Sequence, residues 1–282
     1  EFFGPKQPVF FAAYIQDKIE YEDLILNLGL RLDYIDTDNK MFKNADRPQD
    51  AFDFNSGELI KEGWVDVPSY TALSPRLGFS FPITDRTNFY TQFGRFVQQT
   101  RLVDVYQGYY RTSFELRGGF FIPSPVGKNI RPTRTTSYEI GFSQQMTDFM
   151  SFSVTGFYRT IKDQVEFVAQ QVASGTSFKT YYTLGNGDFS TTKGLEIEMT
   201  MRRYERLALN GSIAFQDAQG TGSFPNSNRG IVGSPLDGVT VFTPKYISPL
   251  EYNNSVRASL NFDYRFGEND GPAVLHEAGV SV

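Results

Sequence analysis

Apolar and polar residues alternate at every second position through ten stretches of the chain, and the links between those stretches alternate between short and long. In the second stretch Leu24, Leu26, Leu28, Leu30, Leu32 and Tyr34 fall on one parity, and Ile25, Asn27, Gly29, Arg31 and Asp33 on the other. Successive side chains leave a strand on opposite faces, so this pattern predicts a strand with one oily and one wet face. The ninth stretch sets Val256, Ala258, Leu260, Phe262, Tyr264 and Phe266 against Ser255, Arg257, Ser259, Asn261, Asp263 and Arg265. That many charged and amide groups cannot all face a dry interior. A half-solvated soluble sheet alternates in the same way, so one stretch alone does not decide the environment.

Length and connection decide it. A tilted strand that crosses a bilayer needs about 9 to 11 residues, whereas soluble strands usually run to about 5 or 6. The stretches Pro8 to Tyr21, Leu24 to Ile35, Asn88 to Gln98, Tyr138 to Met146, Ser151 to Ile161, Gly194 to Arg203 and Ser255 to Phe266 are all long. Short links fall at Glu20 to Asp23, Thr84 to Arg86, Met146 to Phe149, Arg203 to Arg206 and Gly267 to Ala273. Long ones fall at Asp36 to Ala72, Gln99 to Thr133, Lys162 to Thr192 and Gln219 to Asn253. Tight turns on one rim and extended loops on the other are the pattern of an outer-membrane barrel. The expected fold is therefore all-β, an antiparallel up-and-down transmembrane β-barrel. Aromatics near strand ends (Phe10, Phe11 and Tyr14; Phe79, Phe81, Phe89 and Phe93; Phe152, Phe157 and Tyr158) fit girdles at the two headgroup levels.

Composition removes rivals. Mean hydropathy is −0.35, and no apolar run approaches the roughly 18 residues of a spanning helix, so insertion would be by strands. With no cysteine, disulfide frameworks, thiol nucleophiles and thiolate metal sites are excluded. A net charge of −5 supplies no basic field for nucleic acid. The only histidine, His276, cannot build a zinc site alone, and no Ser or Asp is spaced to complete a triad. Glu196 and Glu198 share a face, but nothing nearby would separate their pKa values for glycoside hydrolysis. Gly118 and Gly119, and Gly185 to Gly187, read as turns without a phosphate cradle. No enzyme, metal or cofactor is expected.

The alternating run of Val274, His276, Ala278 and Val280 reaches the last residues. A strand left in mid-pattern has an unpaired edge, so residues 1–282 are expected to form part of one larger barrel. In order and spacing, Ser137 to Phe142 (SYEIGF), Phe157 to Gln164 (FYRTIKDQ) and Gly194 to Glu198 (GLEIE) resemble the C-terminal barrel strands of TonB-dependent receptors. Within that family, Leu73 to Gln99 is similar to the branch with a carboxypeptidase-regulatory-like domain, close to the SusC-like importers. The resemblance covers essentially the whole chain. It implies about ten strands of a 22-stranded barrel, with the plug, the TonB box and the remaining strands outside this chain. It further implies a Gram-negative outer membrane, contact with its lipid, a TonB-type energising protein acting through the N-terminal part, and a surface lipoprotein as a possible partner. The implied activity is energy-coupled uptake of a scarce nutrient such as a siderophore, peptide or oligosaccharide. The alternative is an outer-membrane surface protein that binds partners for adhesion or assembly without transport.

The resemblance also implies that Glu139 and Glu196 face the lumen and meet plug arginines. Their parity agrees, since each is flanked by apolar residues. Pairing with wall residues such as Arg202 or Arg257 is the other reading. Ligand contacts are expected on the long loops. Tyr106, Tyr109, Tyr110 and Arg111 combine flat amphipathic rings with a charged fork, and Tyr181 and Tyr182 add a second aromatic pair. These same rings could instead fold the loops onto one another. Residues 220–238, rich in Gly, Pro and Asn, read as a mobile loop.

Overall fold

The computed structural model describes residues 5–53, 55–56, 58–106, 129–173, 180–225, 227–232, 246–267 and 271–282. The chain runs through β1 (Val9–Tyr21), β2 (Leu24–Asp36), the short strands β3 (Lys40–Phe42) and β4 (Trp64–Asp66), then β5 (Tyr70–Thr84) and β6 (Thr87–Gln98). A one-turn helix α1 (Leu102–Val105) follows. Next come β7 (Thr133–Gln145), β8 (Met150–Gln171), β9 (Thr180–Tyr204) and β10 (Leu207–Gly220). A second short helix, α2 (Arg229–Val232), precedes β11 (Ser248–Pro249), β12 (Val256–Arg265) and β13 (Gly279–Ser281). Ten strands pair antiparallel in the order β1-β2-β5-β6-β7-β8-β9-β10-β12-β13, while β3 and β4 form a separate small sheet. Every long strand meets its neighbour in sequence, as an up-and-down wall requires. Among the described residues no helix is long and apolar enough to cross a membrane.

Directly paired residues present their side chains on the same face, so the register extends the period-2 pattern across the whole wall. Leu26, Phe79, Thr91, Ile140, Gly156, Leu195, Phe215 and Val256 form one row of partners from β2 to β12. The neighbouring row, Asn27, Gly78, Gln92, Glu139, Phe157, Gly194 and Gln216, lies on the opposite face. Leu28, Leu30, Phe152, Ile197, Leu260 and Phe262 share the apolar face, and Arg31, Glu196, Asn261 and Asp263 share the polar one. Asp17, opposite Leu28 on β1, breaks the apolar face at the sheet edge.

The short rim is built from tight turns. Tyr21 pairs with Leu24 and Tyr204 with Leu207, leaving two-residue loops Glu22-Asp23 and Glu205-Arg206. Glu22 and Glu205 both adopt φ of 52°, a left-handed conformation that costs a residue with a Cβ about 1 to 2 kcal/mol. Adjacent turns are tied by an Arg86–Asp148 ion pair at 3.0 Å, and Phe149 stacks on Tyr204 at 4.1 Å.

Four sequence expectations change. Residues 162–192 are not one long loop, because β8 and β9 continue past the wall and pair as far as Gln171 and Thr180. Gly185 to Gly187 lie inside β9 rather than in a turn; their register shifts against β8 near Gln164 and Val165. The final alternating run begins with a 3-10 turn, Ala273–Leu275, so β13 is only three residues long. Of the expected girdle aromatics, Phe10, Tyr14 and Phe157 stand on the polar face, opposite Ile35, Arg31 and Gly194. A strand-end position does not fix a side; parity does.

Candidate functional site

The polar face gathers carboxylates, guanidiniums and rings. Glu139 receives a hydrogen bond from Ser137 Oγ at 3.4 Å, and Arg159 Nη2 lies 3.6 Å from its Oε1. It lines a recess of about 280 Å³ with Gln16, Asn27, Arg76 and Gln92. Glu196 stands on the same face, in register between Thr155 and Ala214, exposed and without an ion pair among the described residues. Two strand spacings and a two-residue offset keep their backbone positions ~12 Å apart, given strands about 4.8 Å apart and a rise of about 3.4 Å per residue. Phe157 fills the interval: it pairs with Glu139 on one side and with Gly194 on the other. Its ring lies so close over Gly194 that an added Cβ would sit 2.6 Å from Cζ. The structure thus places both glutamates on one wall without bringing them together. Glu139 pairs within the wall, through Arg159 rather than Arg202 or Arg257.

Above the wall, the surface loops form two small cores. In the first, Phe42, Ala51, Phe52 and Trp64 from residues 37–69 enclose Tyr181 of β9. Phe42 meets Trp64 at 4.7 Å and Tyr181 at 6.0 Å, and the Trp64 indole donates to the Ala51 carbonyl. The Tyr181 hydroxyl donates to the Ala45 carbonyl at 2.7 Å, and the ring is only 2% exposed. In the second core, Val105 and Ile130 from the β6–β7 connection and Val232 of α2 pack on Val165, Phe167 and Leu184. Tyr182 joins there, stacked on Phe167 at 5.4 Å. The adjacent tyrosines are therefore not a pair, because neighbours on a strand point to opposite faces.

Tyr106 donates its hydroxyl to the Thr37 carbonyl at 2.8 Å, joining the first two loops. Partial burial, with help from Asp38 and Asp36, raises its pKa. Asn39 Nδ2 adds a bond to the Val105 carbonyl at 2.7 Å. Tyr109, Tyr110, Arg111, Gly118 and Gly119 lie outside the described residues. In the stretch read as a mobile loop, Thr221 donates to the buried Asp188 at 2.7 Å, and Asn228 donates to the Thr221 carbonyl. Arg159 and the wet-face rings escaped sequence reasoning because only cross-strand register reveals their neighbours. Among the described residues no group of three or more acidic or histidine side chains could hold a metal ion.

A long-stranded wall with one oily face, one polar face and sorted loops defines an outer-membrane up-and-down barrel. The family model for the β-barrel of TonB-dependent receptor-like proteins matches residues 6–278, and the chain belongs to that family. Its members are receptors and transporters of the Gram-negative outer membrane, not enzymes. Among solved structures, the FrpB iron transporter of Neisseria meningitidis is similar at 15% identity and a TM-score of 0.54 over 93% of this chain and 31% of its own. The ferric-catecholate import receptor Fiu of Escherichia coli K12 is similar at 18% identity and 0.52, over 92% and 32%. The ferripyoverdine receptor of Pseudomonas aeruginosa gives 12% and 0.52, over 94% and 27%. The chain thus spans about a third of the length of these structures, and at such identities the likeness is one of fold. No curated protein matches the sequence.

Proposed function

We propose that this chain forms part of the wall of an energy-coupled outer-membrane receptor that takes up a scarce nutrient, a siderophore, peptide or oligosaccharide. The observation that carries the reading is the pair of carboxylates on the polar face. Glu196 has no ion pair among the described residues, and Glu139 has only long contacts, to Ser137 Oγ at 3.4 Å and Arg159 at 3.6 Å, among them. A guanidinium from a plug domain would give each a charge-assisted, bidentate contact. Among the described residues the outer edge of β1 pairs with no strand, which supports continuation of the wall into the 22 strands of a plugged barrel. The plug and the contact with a TonB-type energising protein belong to other parts of the receptor. Ligand selection belongs to the loops, with Tyr106, Tyr109, Tyr110, Arg111 and Tyr182 as the proposed contacts, while Tyr181, expected beside them, is sealed into the first loop core. A surface lipoprotein would dock on the same loops.

The test is accumulation of ferric siderophores, short peptides and oligosaccharides in cells that express the full-length protein. Uptake of one class should collapse when the inner-membrane proton gradient is discharged, and should fall several-fold in Glu139→Gln/Glu196→Gln. Ligand capture that ignores the gradient would replace the reading with surface binding in adhesion or assembly.

A further inference from the structure

Strands β5 and β6 pair from the short rim only as far as Arg76 and Gly94. Beyond that point β5 stays with β2 up to Tyr70, and β6 stays with β7 up to Gln98. The wall therefore splits between them toward the loop side, and Pro75, which has no N–H to give to a ladder, sits at the fork. A cleft of about 600 Å³ occupies the split. Arg95, Arg134 and Lys162 line it, all exposed and all on the parity of the apolar face. Arg134 has a partner in Asp163 at 2.5 Å, whereas Arg95 and Lys162 have no ion pair among the described residues. Tyr138 and Tyr158 stand below the cations on the same face, with ring centroids 6.4 Å apart. Ser74, on the polar face opposite Arg31, borders the cleft from behind with its side chain enclosed.

We propose that this cleft binds the phosphorylated headgroup of an outer-leaflet glycolipid. Two arguments converge. The cations lie on the face that meets lipid, so their ligand arrives from the membrane rather than from the lumen. Amphipathic tyrosine rings mark the headgroup level, and basic side chains just beyond that level are the natural partners of anionic headgroups. Guanidinium forks suit phosphate in particular.

Native mass spectrometry of the purified full-length receptor in phosphatidylcholine nanodiscs, supplemented with diphosphorylated lipid A or its dephosphorylated form, tests the assignment. The wild-type protein should retain the phosphorylated form, and Arg95→Gln/Lys162→Gln should retain at least fivefold less. The charge-keeping Arg95→Lys/Lys162→Arg should restore retention, and Lys43→Gln/Lys61→Gln, an equal charge loss in the first surface loop, should not alter it. Heat-modifiable migration on gels confirms that each variant is folded. Equal retention of both lipid forms, or no difference between wild type and Arg95→Gln/Lys162→Gln, overturns the proposal. Displacement of the lipid by millimolar inorganic phosphate also overturns it and assigns the cleft to a soluble anion.

Discussion

The hydroxyl of Tyr90 reaches the hydroxyl of Thr155 across the bare backbone of Gly141. Tyr90 pairs directly with Gly141, and Gly141 pairs with Thr155, so the ring lies flat along a row of the polar face and covers the strand between them. A Cβ on Gly141 would stand 2.6 Å from the Val154 carbonyl oxygen and 2.7 Å from the ring. Gly141→Ala should therefore destabilise the wall by about 1 to 3 kcal/mol, the usual range for overpacking. Tyr90→Phe, which removes only the hydrogen bond, should cost about 1 kcal/mol. Urea titration of the protein folded into lipid vesicles measures both, and an indifferent Gly141→Ala would show that the ring does not lie there.

The two faces make an energetic prediction. Arg at Leu28 or Leu260 should cost about 2 to 4 kcal/mol, the range for a charge that faces the bilayer midplane. Arg at Asn27 or Asn261 should be much milder, because those side chains occupy the polar face. The same vesicle titration compares the four variants. Equal costs would mean that the apolar face does not meet lipid.

The loop cores should melt separately from the wall. Trp64→Ala removes the ring that Phe42 and Phe52 pack against, a truncation that costs about 3 to 5 kcal/mol in a well-packed core. Amide exchange should accelerate across residues 37–69 and the β8–β9 extension that carries Tyr181, while the wall, including β8 up to Ile161 and β9 from Ser190, keeps its protection. Tyr181→Phe should weaken the same region less, since it loses only the bond to Ala45.

Acid should loosen the small β3–β4 sheet first. The Lys40 ammonium beside Asp66 holds that carboxylate below its ordinary value. A carboxylate with a depressed folded pKa contributes stability above its unfolded pKa and loses it as pH falls through the folded one. Exchange at Lys40 to Phe42 and Trp64 to Asp66 should therefore rise as pH falls below the unfolded Asp value of about 3.9. Asp66→Asn should abolish that dependence. Salt should weaken it, since the pair is exposed.

Glu22 and Glu205 offer a gain. Each holds φ of 52° in a two-residue turn, where Gly or Asn carries less strain. Glu22→Gly should stabilise the first hairpin by up to about 1 kcal/mol, read as a higher urea midpoint with unchanged slope.

The wall was legible in the chain because membrane strands obey a strict parity and one slipped residue would turn every side chain around. Leu26, Leu28 and Leu30 against Asn27 and Arg31 carry that message without help from neighbours. The extension of β8 and β9 was not legible. Gly185 to Gly187 read locally as a turn, yet they continue β9; Asp163 takes φ of 59° at the irregular register, and packing on both sides keeps the hairpin extended beyond it. Propensity yields there to tertiary contact. On the polar face, Glu139 was recognisable by parity, but its partner Arg159 sits twenty residues along the chain and becomes a neighbour only through the β7–β8 register.

The division of labour between Tyr181 and Tyr182 has a mechanical consequence. One peptide unit joins a residue sealed into the first loop core to a residue stacked in the second. Close-packed clusters transmit displacement rather than absorb it, so neither can be repacked without moving the shared strand backbone and with it the other. The protruding β8–β9 hairpin acts as a common spar, and a push felt by residues 37–69 is felt at α1 and α2 as well.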